Sequence, residues 1–483
     1  MSDACVPVES FSTESRFYLL PQLTTVAPHS IITTKGRLHT FRKQGSMSFL
    51  VLRYQSETVQ CVIFKTKKAL AQELSKIPRE SYLQITGKLV KAPSPINSCS
   101  IKELELEPES YKVISSAQSV LPFQLEDACR HIEDTSPNAI HVGLDQKLNH
   151  RAFELRTATN YAIFKLQTAI TQQFRQFLIE NDFIEIHSPK LISGSSEGGA
   201  EVFKLKYFEQ SAGLAQSPQL YKQMAICGDF RRVFEIGPVF RAEKSVSHRH
   251  LCEFTGLDIE MEIDSHYYEV TNMVSELLIS IFNDLNQNYS HELKIIKLQY
   301  PASEFKYLPS GQNQLLMVNF REGVEMINQH YQSQGVETRQ SANDDLNAAN
   351  ERLLGQIIKE KHGVEIFILD KYPSSARPFY TMPEVDVNGA VTGYTHSYDI
   401  IMCGEEIISG SQRINQYDQL LKNVEMKGMS PDTLKDYLEA FKYGVPKHGG
   451  CGIGLERLTM LFLNLQNVRR ASLFPRDPYR LTP

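Results

Sequence analysis

Between residues 31 and 108 apolar and polar positions alternate in short runs: IITTKGRLHTF, MSFLVLRYQ, TVQCVIFK, YLQITGKLV and SIKELELEP. Period-two alternation over runs of this length predicts β-strands. One stretch, KKALAQELSKI, breaks the alternation with helical spacing and falls between the third and fourth strands. Five strands with a helix in that place predict a small Greek-key barrel of the OB type, a common platform for single-stranded nucleic acid. Residues 113–150, with SSAQS and DTSPN, keep no period and predict a connector. From Asn160 the period lengthens. Ile163, Leu166, Ile170, Phe174 and Phe177 share one stripe, which predicts a helix ending near Asn181 and serving only the core. FIEIHSPKL then predicts a strand stopped by Pro189. Strands and helices alternate beyond it, TNMVSELLISIFNDL and PDTLKDYLEAF among the helices, and polar residues 332–350 predict a surface excursion.

The alternation carries chemistry in PVFRAEKSVSHRHLCEFTGLDIEME, residues 238–262. Two strands joined by a charged loop would place Leu257, Ile259 and Met261 on one face and Phe254, Asp258, Glu260 and Glu262 on the other. Arg241 and Glu243, two residues apart, share a face on the incoming strand. An arginine fork grips phosphate and an aromatic ring stacks on a base, so this face predicts a nucleotide site built on a sheet.

Three other segments add to it. LAQSPQLYKQM supplies Gln219 and Lys222 just upstream. SYDIIMCGEEIISGSQR predicts a hairpin turning at Gly404–Glu405; with Cys403 facing Glu406, Asp399 and Glu406 fall on one face, an oxygen pair that suits Mg²⁺. Simple alternation leaves Ser409 and Arg413 on the opposite face, unless a bulge at Ser409–Gly410 turns them over. HGGCGIGLERLTMLF offers Gly449, Gly450, Gly452 and Gly454, where backbone can approach a flat ligand, followed by Arg457 as a second fixed cation. It is neither a Walker loop nor a dinucleotide fingerprint.

Composition narrows the classes. The chain has 483 residues, 41% hydrophobic and 22% charged, enough for two or three domains of an ordinary globular protein. No apolar run is long enough to span a membrane, and the N-terminal residues lack the h-region of a secretory signal. Eight cysteines are scattered without a CxxC pair, which predicts a reducing, cytoplasmic setting. The net charge is −5, yet residues 31–72 hold Lys35, Arg37, Arg42, Lys43, Arg53, Lys65, Lys67 and Lys68 against Glu57 alone. That run predicts a phosphate-binding surface, against the plainer reading of a solvated barrel face. His248, His250 and Cys252 alternate like a zinc triad but lack a fourth ligand nearby, so no zinc is expected.

Taken together, FIEIHSPKL, FRAE…HRHLCEFTGLDIE and GIGLERL resemble motifs 1, 2 and 3 of the class II aminoacyl-tRNA synthetases. QSPQLYKQ, SGSSEGGAEVFKLKYF, GEEIISGSQRI and ASLFPRDPYRLTP narrow the resemblance to the aspartyl-tRNA synthetases of the archaeal and eukaryotic cytosolic type, over nearly the whole chain. The resemblance implies an α+β fold. An OB-fold anticodon-binding barrel would occupy residues 1–112, a hinge 113–150, and a class II catalytic domain, an antiparallel sheet flanked by helices, 151–483.

The resemblance also implies roles. Aspartate and ATP would give aspartyl-adenylate and pyrophosphate, with aspartate then passed to the 3′ end of its tRNA. Arg241 would hold the α-phosphate and the substrate α-carboxylate, and Arg457 the γ-phosphate. Phe254 would stack on adenine, with Glu243, Arg249, His250, Leu251 and the Gly452, Ile453, Gly454, Leu455 run around ATP. Asp399, Glu406 and Ser409 would bind Mg²⁺ and ATP. Asp258 would hold the substrate ammonium with Gln219 nearby, Lys222 and Arg413 would read the aspartate side chain, and Glu197 would lie on a loop closing over the amino acid. Arg42, Phe49 and Gln60 would grip the anticodon. A homodimer with Pro189 at its interface, and no membrane, are implied as well. Cys403 and Cys451 depart from the family, where Arg and Gly are usual, and Cys451 would slightly crowd the adenine pocket.

Two other readings share part of this pattern. Asparaginyl-tRNA synthetases share the architecture but typically carry an apolar residue in place of Lys222. A catalytically dead RNA-binding paralogue would not be expected to keep Arg241, Asp258, Glu406 and Arg457 intact.

Overall fold

The computed structural model describes residues 16–193, 202–301, 305–337 and 339–483. The chain divides into two compact units, residues 1–130 with 134–162, and residues 131–133 with 163–483.

In the first unit β1 (Arg16–Phe17), β2 (Ile31–Gln44), β3 (Met47–Tyr54), β4 (Glu57–Ile63), β5 (Tyr82–Lys91) and β6 (Leu104–Ser115) form one sheet. The order is β1-β2-β3-β4-β6-β5, and pairing of β2 with β5 closes it into a barrel. The helix Lys68–Leu74 stands between β4 and β5, as the break in alternation predicts. Inward positions such as Leu38, Leu50, Leu52, Val59, Leu83, Ile85 and Leu106 make the core. Not all of the basic run reaches solvent. Arg53 is buried, with Nη2 2.7 Å from Glu80 Oε1 and Nη1 donating to Arg156 O at 2.8 Å. It is a structural ion pair, not part of a phosphate-binding surface. The segment read as a connector holds two short helices, Leu125–Ala128 and Leu144–Asn149, around a small cluster of Phe123, Leu125 and Ala128.

The second unit is built on an eight-stranded sheet. Its strands are β7 (Ile184–Glu185), β11 (Arg232–Phe240), β12 (Glu253–Glu262), β13 (Leu316–Asn319), β14 (Ile366–Asp370), β17 (Ser397–Met402), β18 (Glu405–Gln412) and β19 (His448–Gly454), in the order β13-β14-β17-β18-β19-β12-β11-β7. The interior pairs are antiparallel, while β13–β14 and β11–β7 at the two edges are parallel. Two smaller sheets, β8 (Leu191–Ile192) with β10 (Gln210–Leu214) and β9 (Lys204–Tyr207), and β15 (Pro383–Val385) with β16 (Val391–Thr395), flank it. The strand expected over 183–191 is reduced to β7 and β8, with Pro189 in the break. The helix Ala158–Glu180 buries Ile163, Leu166, Ile170, Phe174 and Leu178, whereas Phe177 lies at its margin.

The β17–β18 hairpin differs from its expected form. The turn is Cys403–Gly404, both with positive φ (51° and 77°), so Met402 rather than Cys403 faces its partner, Glu405. Positive φ at both central residues is what a two-residue hairpin turn requires. The register then shifts: Ile401 pairs with Glu406 and Ile400 with Ile408, leaving Ile407 as the extra residue. The bulge is therefore at Ile407, not Ser409–Gly410. It places Glu406, Ser409 and Ser411 on the same face as Asp399, since opposed residues of a pair share a face.

Candidate active site

On β12 the alternation holds. Leu257, Ile259 and Met261 are buried on one face, and Phe254, Asp258 and Glu260 project from the other. Above that second face lies a cavity of about 740 Å³, lined from β11, β12, β18, β19, the 241–251 loop and the segment 375–381. Gln219, Arg241, Glu243, Arg249, His250, Leu251, Phe254, Asp258, Glu406, Ser409, Arg413, Gly452, Ile453, Gly454 and Arg457 all line it.

The deepest part is a charge network. Arg413 donates from Nε to Glu260 Oε1 at 2.9 Å and from Nη2 to Glu260 Oε2 at 3.0 Å, while Nη1 meets Ser411 Oγ at 2.7 Å. Lys222 Nζ stands 3.0 Å from Asp258 Oδ1 and 3.5 Å from Glu260 Oε2, and donates to the Cys451 carbonyl at 3.0 Å. Burial opposes ionisation of Glu260, yet Arg413 and Lys222 together hold its carboxyl below the usual range. Gln219 accepts from Arg413 Nη2 at 3.3 Å and donates to Gln223, which in turn reaches His448 and Tyr437. Burial pulls the pKa of the His448 ring down.

The glycines of β19 divide by function. A Cβ at Gly450 would fall 2.0 Å from the Ile259 carbonyl oxygen and 2.3 Å from Glu260 Oε2, so glycine there makes room for the network. Gly452 and Gly454 line the cavity itself.

At the mouth, the Arg241 guanidinium lies 5.6 Å from the centre of the Phe254 ring and 4.0 Å from Glu243 Oε1. Arg457 projects from the first turn of the helix Leu455–Phe462 and donates to the Glu406 and Arg249 carbonyls at 2.8 and 3.2 Å. Arg249 pairs with Glu351 at 2.8 Å. One half-buried acid stands out: desolvation first, then the nearby Asp399 charge, push Glu406 up to about 7.

A mostly polar cavity on an antiparallel sheet, lined by Arg241, Arg249, Arg377, Arg413 and Arg457, is a site for a phosphorylated ligand. The family model for tRNA synthetases class II (D, K and N) matches residues 143–478, and an OB-fold nucleic acid binding domain matches residues 32–114. The chain is 44% identical over 462 residues to the cytoplasmic aspartate–tRNA ligase of Caenorhabditis elegans, covering 94% of this chain and 84% of that one. Identity to the cytoplasmic aspartate–tRNA ligase of Homo sapiens is 43% over 465 residues, 95% and 90% of the two chains. The chain belongs to the aspartate–tRNA ligases. Among solved structures, the aspartyl-tRNA synthetase of Entamoeba histolytica superposes with a TM-score of 0.86 at 39% identity, over 99% of this chain and 96% of that one. The asparaginyl-tRNA synthetase of Pyrococcus horikoshii, complexed with asparaginyl-adenylate, gives 0.81 at 28% identity, over 94% and 97%.

Some expected site residues of this synthetase stand outside the cavity. Lys222 lies beneath its floor, reaching it through Asp258. Asp399 is buried behind Ser409, and Leu455 is buried at the start of its helix. Glu197 lies outside the described residues. Cys451 is buried and pairs with Ile259 and Gly410, on the face of β19 away from the cavity, so it does not crowd the pocket. His248 meets Glu405 at 2.6 Å and His250 meets Ser247 at 2.5 Å, so the two rings are engaged separately. In the barrel Arg42, Phe49 and Gln60 come together: Arg42 donates to Gln60 Oε1 at 3.2 Å and lies 5.1 Å from the centre of the Phe49 ring.

Sequence reasoning missed Arg377, Tyr380, Glu351 and the pairing role of Glu260. Arg377 comes from a turn-rich stretch, YPSSARPFY, with no period to mark which way it points. Glu260 was visible on the correct face, but alternation alone does not say which cation a carboxylate will meet.

Proposed function

We propose that this cavity is where ATP and aspartate meet during ligation of aspartate to tRNA. The carrying observation is that Arg241, Phe254 and Arg457 surround a cavity lined at its base by Arg413 and Asp258, with Lys222 beneath Asp258. Phe254 would stack on adenine, Arg241 would take the α-phosphate and the substrate α-carboxylate, and Arg457 the far end of the triphosphate. Glu243, Arg249, His250, Leu251 and the Gly452–Leu455 run would surround the nucleotide. Aspartate's α-carboxylate is already ionised at neutral pH, so adenylate formation calls for alignment and charge stabilisation rather than a general base. The aspartyl group would then pass to the 3′ end of the tRNA.

Side-chain selection follows from counting charges. Lys222 and Arg413 are balanced by Asp258 and Glu260 before substrate enters. With the substrate ammonium on Asp258, the pocket holds three cations and two anions, and the aspartate side chain supplies the third anion. Asparagine would leave one buried positive charge in excess, a cost on the order of several kcal/mol.

The oxygen donors Asp399, Glu406 and Ser409 fit Mg²⁺: they share one face, and Asp399 Oδ1 is buried without a hydrogen-bond partner. Bound there with ATP, the ion would neutralise phosphate charge. In the barrel, Phe49 would stack on an unpaired anticodon base, with Arg42 and Gln60 beside it. A homodimer in the cytoplasm is part of this reading. The cytoplasmic setting is supported by the cytoplasmic aspartate–tRNA ligases to which the chain is similar, and the homodimer by an exposed Pro189 beside the edge strand β7.

The test is pyrophosphate–ATP exchange. It should depend on aspartate and be abolished by Arg457→Ala; exchange supported by asparagine and not by aspartate would overturn the reading. Light scattering tests the dimer.

A further inference from the structure

Arg377 has no place in the roles given so far, yet it is one of the most constrained cations of the cavity. It leaves the segment between β14 and β15, and its side chain is 9% exposed. Nη2 lies 2.8 Å from Asp399 Oδ2, Nη1 donates to Ser409 Oγ at 2.9 Å, and the guanidinium stacks 3.8 Å from the centre of the Tyr372 ring. One arginine thus engages two of the three oxygen-bearing side chains that suit a hard cation. The plane of Tyr372 behind it and the fork in front fix its direction.

We propose that Arg377 is an internal counter-cation for the Asp399–Ser409 pair, a positioning residue that shapes this donor set while lowering its affinity for a divalent ion in the absence of nucleotide. The inference rests on reading the cavity as the ATP site. Two like charges close to the same carboxylate repel, and in a buried setting that repulsion is weakly screened. An ion arriving at Asp399 while Arg377 keeps its bonds finds one carboxylate oxygen, Oδ1, instead of two. An ion that arrives with the phosphates of ATP brings the negative charge that offsets the crowding. Arg377 therefore couples divalent-ion binding to nucleotide binding and keeps the donors from loading with metal alone.

The experiment is titration of the full-length enzyme with Mn²⁺ alone, free ion being read from its electron paramagnetic resonance signal. Arg377→Met removes the charge and keeps a similar stem; Arg377→Lys keeps the charge and loses the fork. R377M should bind Mn²⁺ on the order of tenfold or more tightly than the unaltered enzyme, while R377K stays close to it. ATP should then tighten Mn²⁺ binding less in R377M than in the unaltered enzyme. If R377M does not fold, as judged by its melting transition, R377Q is titrated in its place. Equal or weaker Mn²⁺ binding by the uncharged variant, or no binding by either protein at millimolar Mn²⁺, overturns the proposal. Aspartate-dependent exchange by the unaltered enzyme is measured alongside. Its absence would remove the functional reading, while the Mn²⁺ titration still decides the role of Arg377.

Discussion

Arg413 grips both oxygens of Glu260, Nε to Oε1 at 2.9 Å and Nη2 to Oε2 at 3.0 Å, and both side chains are buried. A two-pronged pair of this kind fixes a guanidinium in direction as well as place. Glu260→Gln should keep the shape and remove the charge. Breaking one side of a buried pair costs on the order of 3–5 kcal/mol, so urea denaturation should show a clear loss of stability. The KM for aspartate should change as well, because Arg413 would lose its anion and Lys222 would keep only Asp258. An E260Q enzyme with unchanged stability would mean that Glu260 does not hold the two cations.

Lys222→Met should separate the two substrates. Binding of an ATP analogue, followed by calorimetry, should stay near its original strength, because Lys222 lies below the floor and touches no residue assigned to the nucleotide except through Asp258. Aspartate-dependent exchange should fall on the order of 10²–10³-fold, as expected when a preorganised electrostatic contact is removed. Loss of nucleotide binding together with exchange would place Lys222 in the wrong role.

Two acids, Glu456 buried and Glu406 half-buried, give the ligand-free enzyme a distinct pH dependence. Burial lifts both Glu406 and Glu456 from near 4.5 to about 7; for Glu406 the Asp399 charge adds to the lift, and for Glu456 the Thr255 amide, donating at 3.0–3.1 Å, partly opposes it. The folded state then holds these protons more tightly than the unfolded chain. The stabilisation is complete below about 4.5 and is lost as pH rises through about 7. Melting temperatures should fall across that window through these two groups, and Glu456→Gln should flatten part of the slope. An identical pH profile for E456Q would show that Glu456 does not titrate in this range.

The C-terminal segment fastens the nucleotide loop. Cys252 N donates to Arg476 O at 2.8 Å, Val468 N to His248 O at 2.8 Å, and Arg469 joins Ser247 O at 3.0 Å to Asp477 Oδ2 at 2.6 Å. Arg469→Ala and Asp477→Ala should each speed hydrogen exchange in residues 247–252, and the double variant should add little to either single one. Fully additive effects would show that the two side chains act separately.

For the barrel, Phe49→Ala should weaken tRNA charging and spare exchange. Loss of one stacked base is worth about 1–3 kcal/mol, so the KM for tRNA should rise roughly 5- to 150-fold with pyrophosphate exchange unaltered.

Much of this molecule was readable in its residues, for a physical reason: burial is periodic. The five long barrel strands, the helix between β4 and β5, and the sorting of β12 into Leu257–Ile259–Met261 and Phe254–Asp258–Glu260 all follow from it. Periodicity is silent on what lies opposite. Arg53 resembled a surface cation until Glu80, 27 residues on, was found beside it. Arg377 reaches Asp399 and Ser409 from a segment with no repeating pattern. The hairpin turn was misplaced by one residue because Cys403, unlike glycine, gives little sign of a positive φ.

The extra residue at Ile407 gives the last consequence. The bulge absorbs it, so Glu406 and Ser409, three apart in the chain, still share the face of Asp399, whatever side chain stands at 407. Replacing Ile407 with another apolar residue should be tolerated, and so should deleting it, because Glu406 would then stand two residues from Ser409 and plain alternation would keep both on that face. What the chain holds constant at this point is the face its donors share, not the number of residues between them.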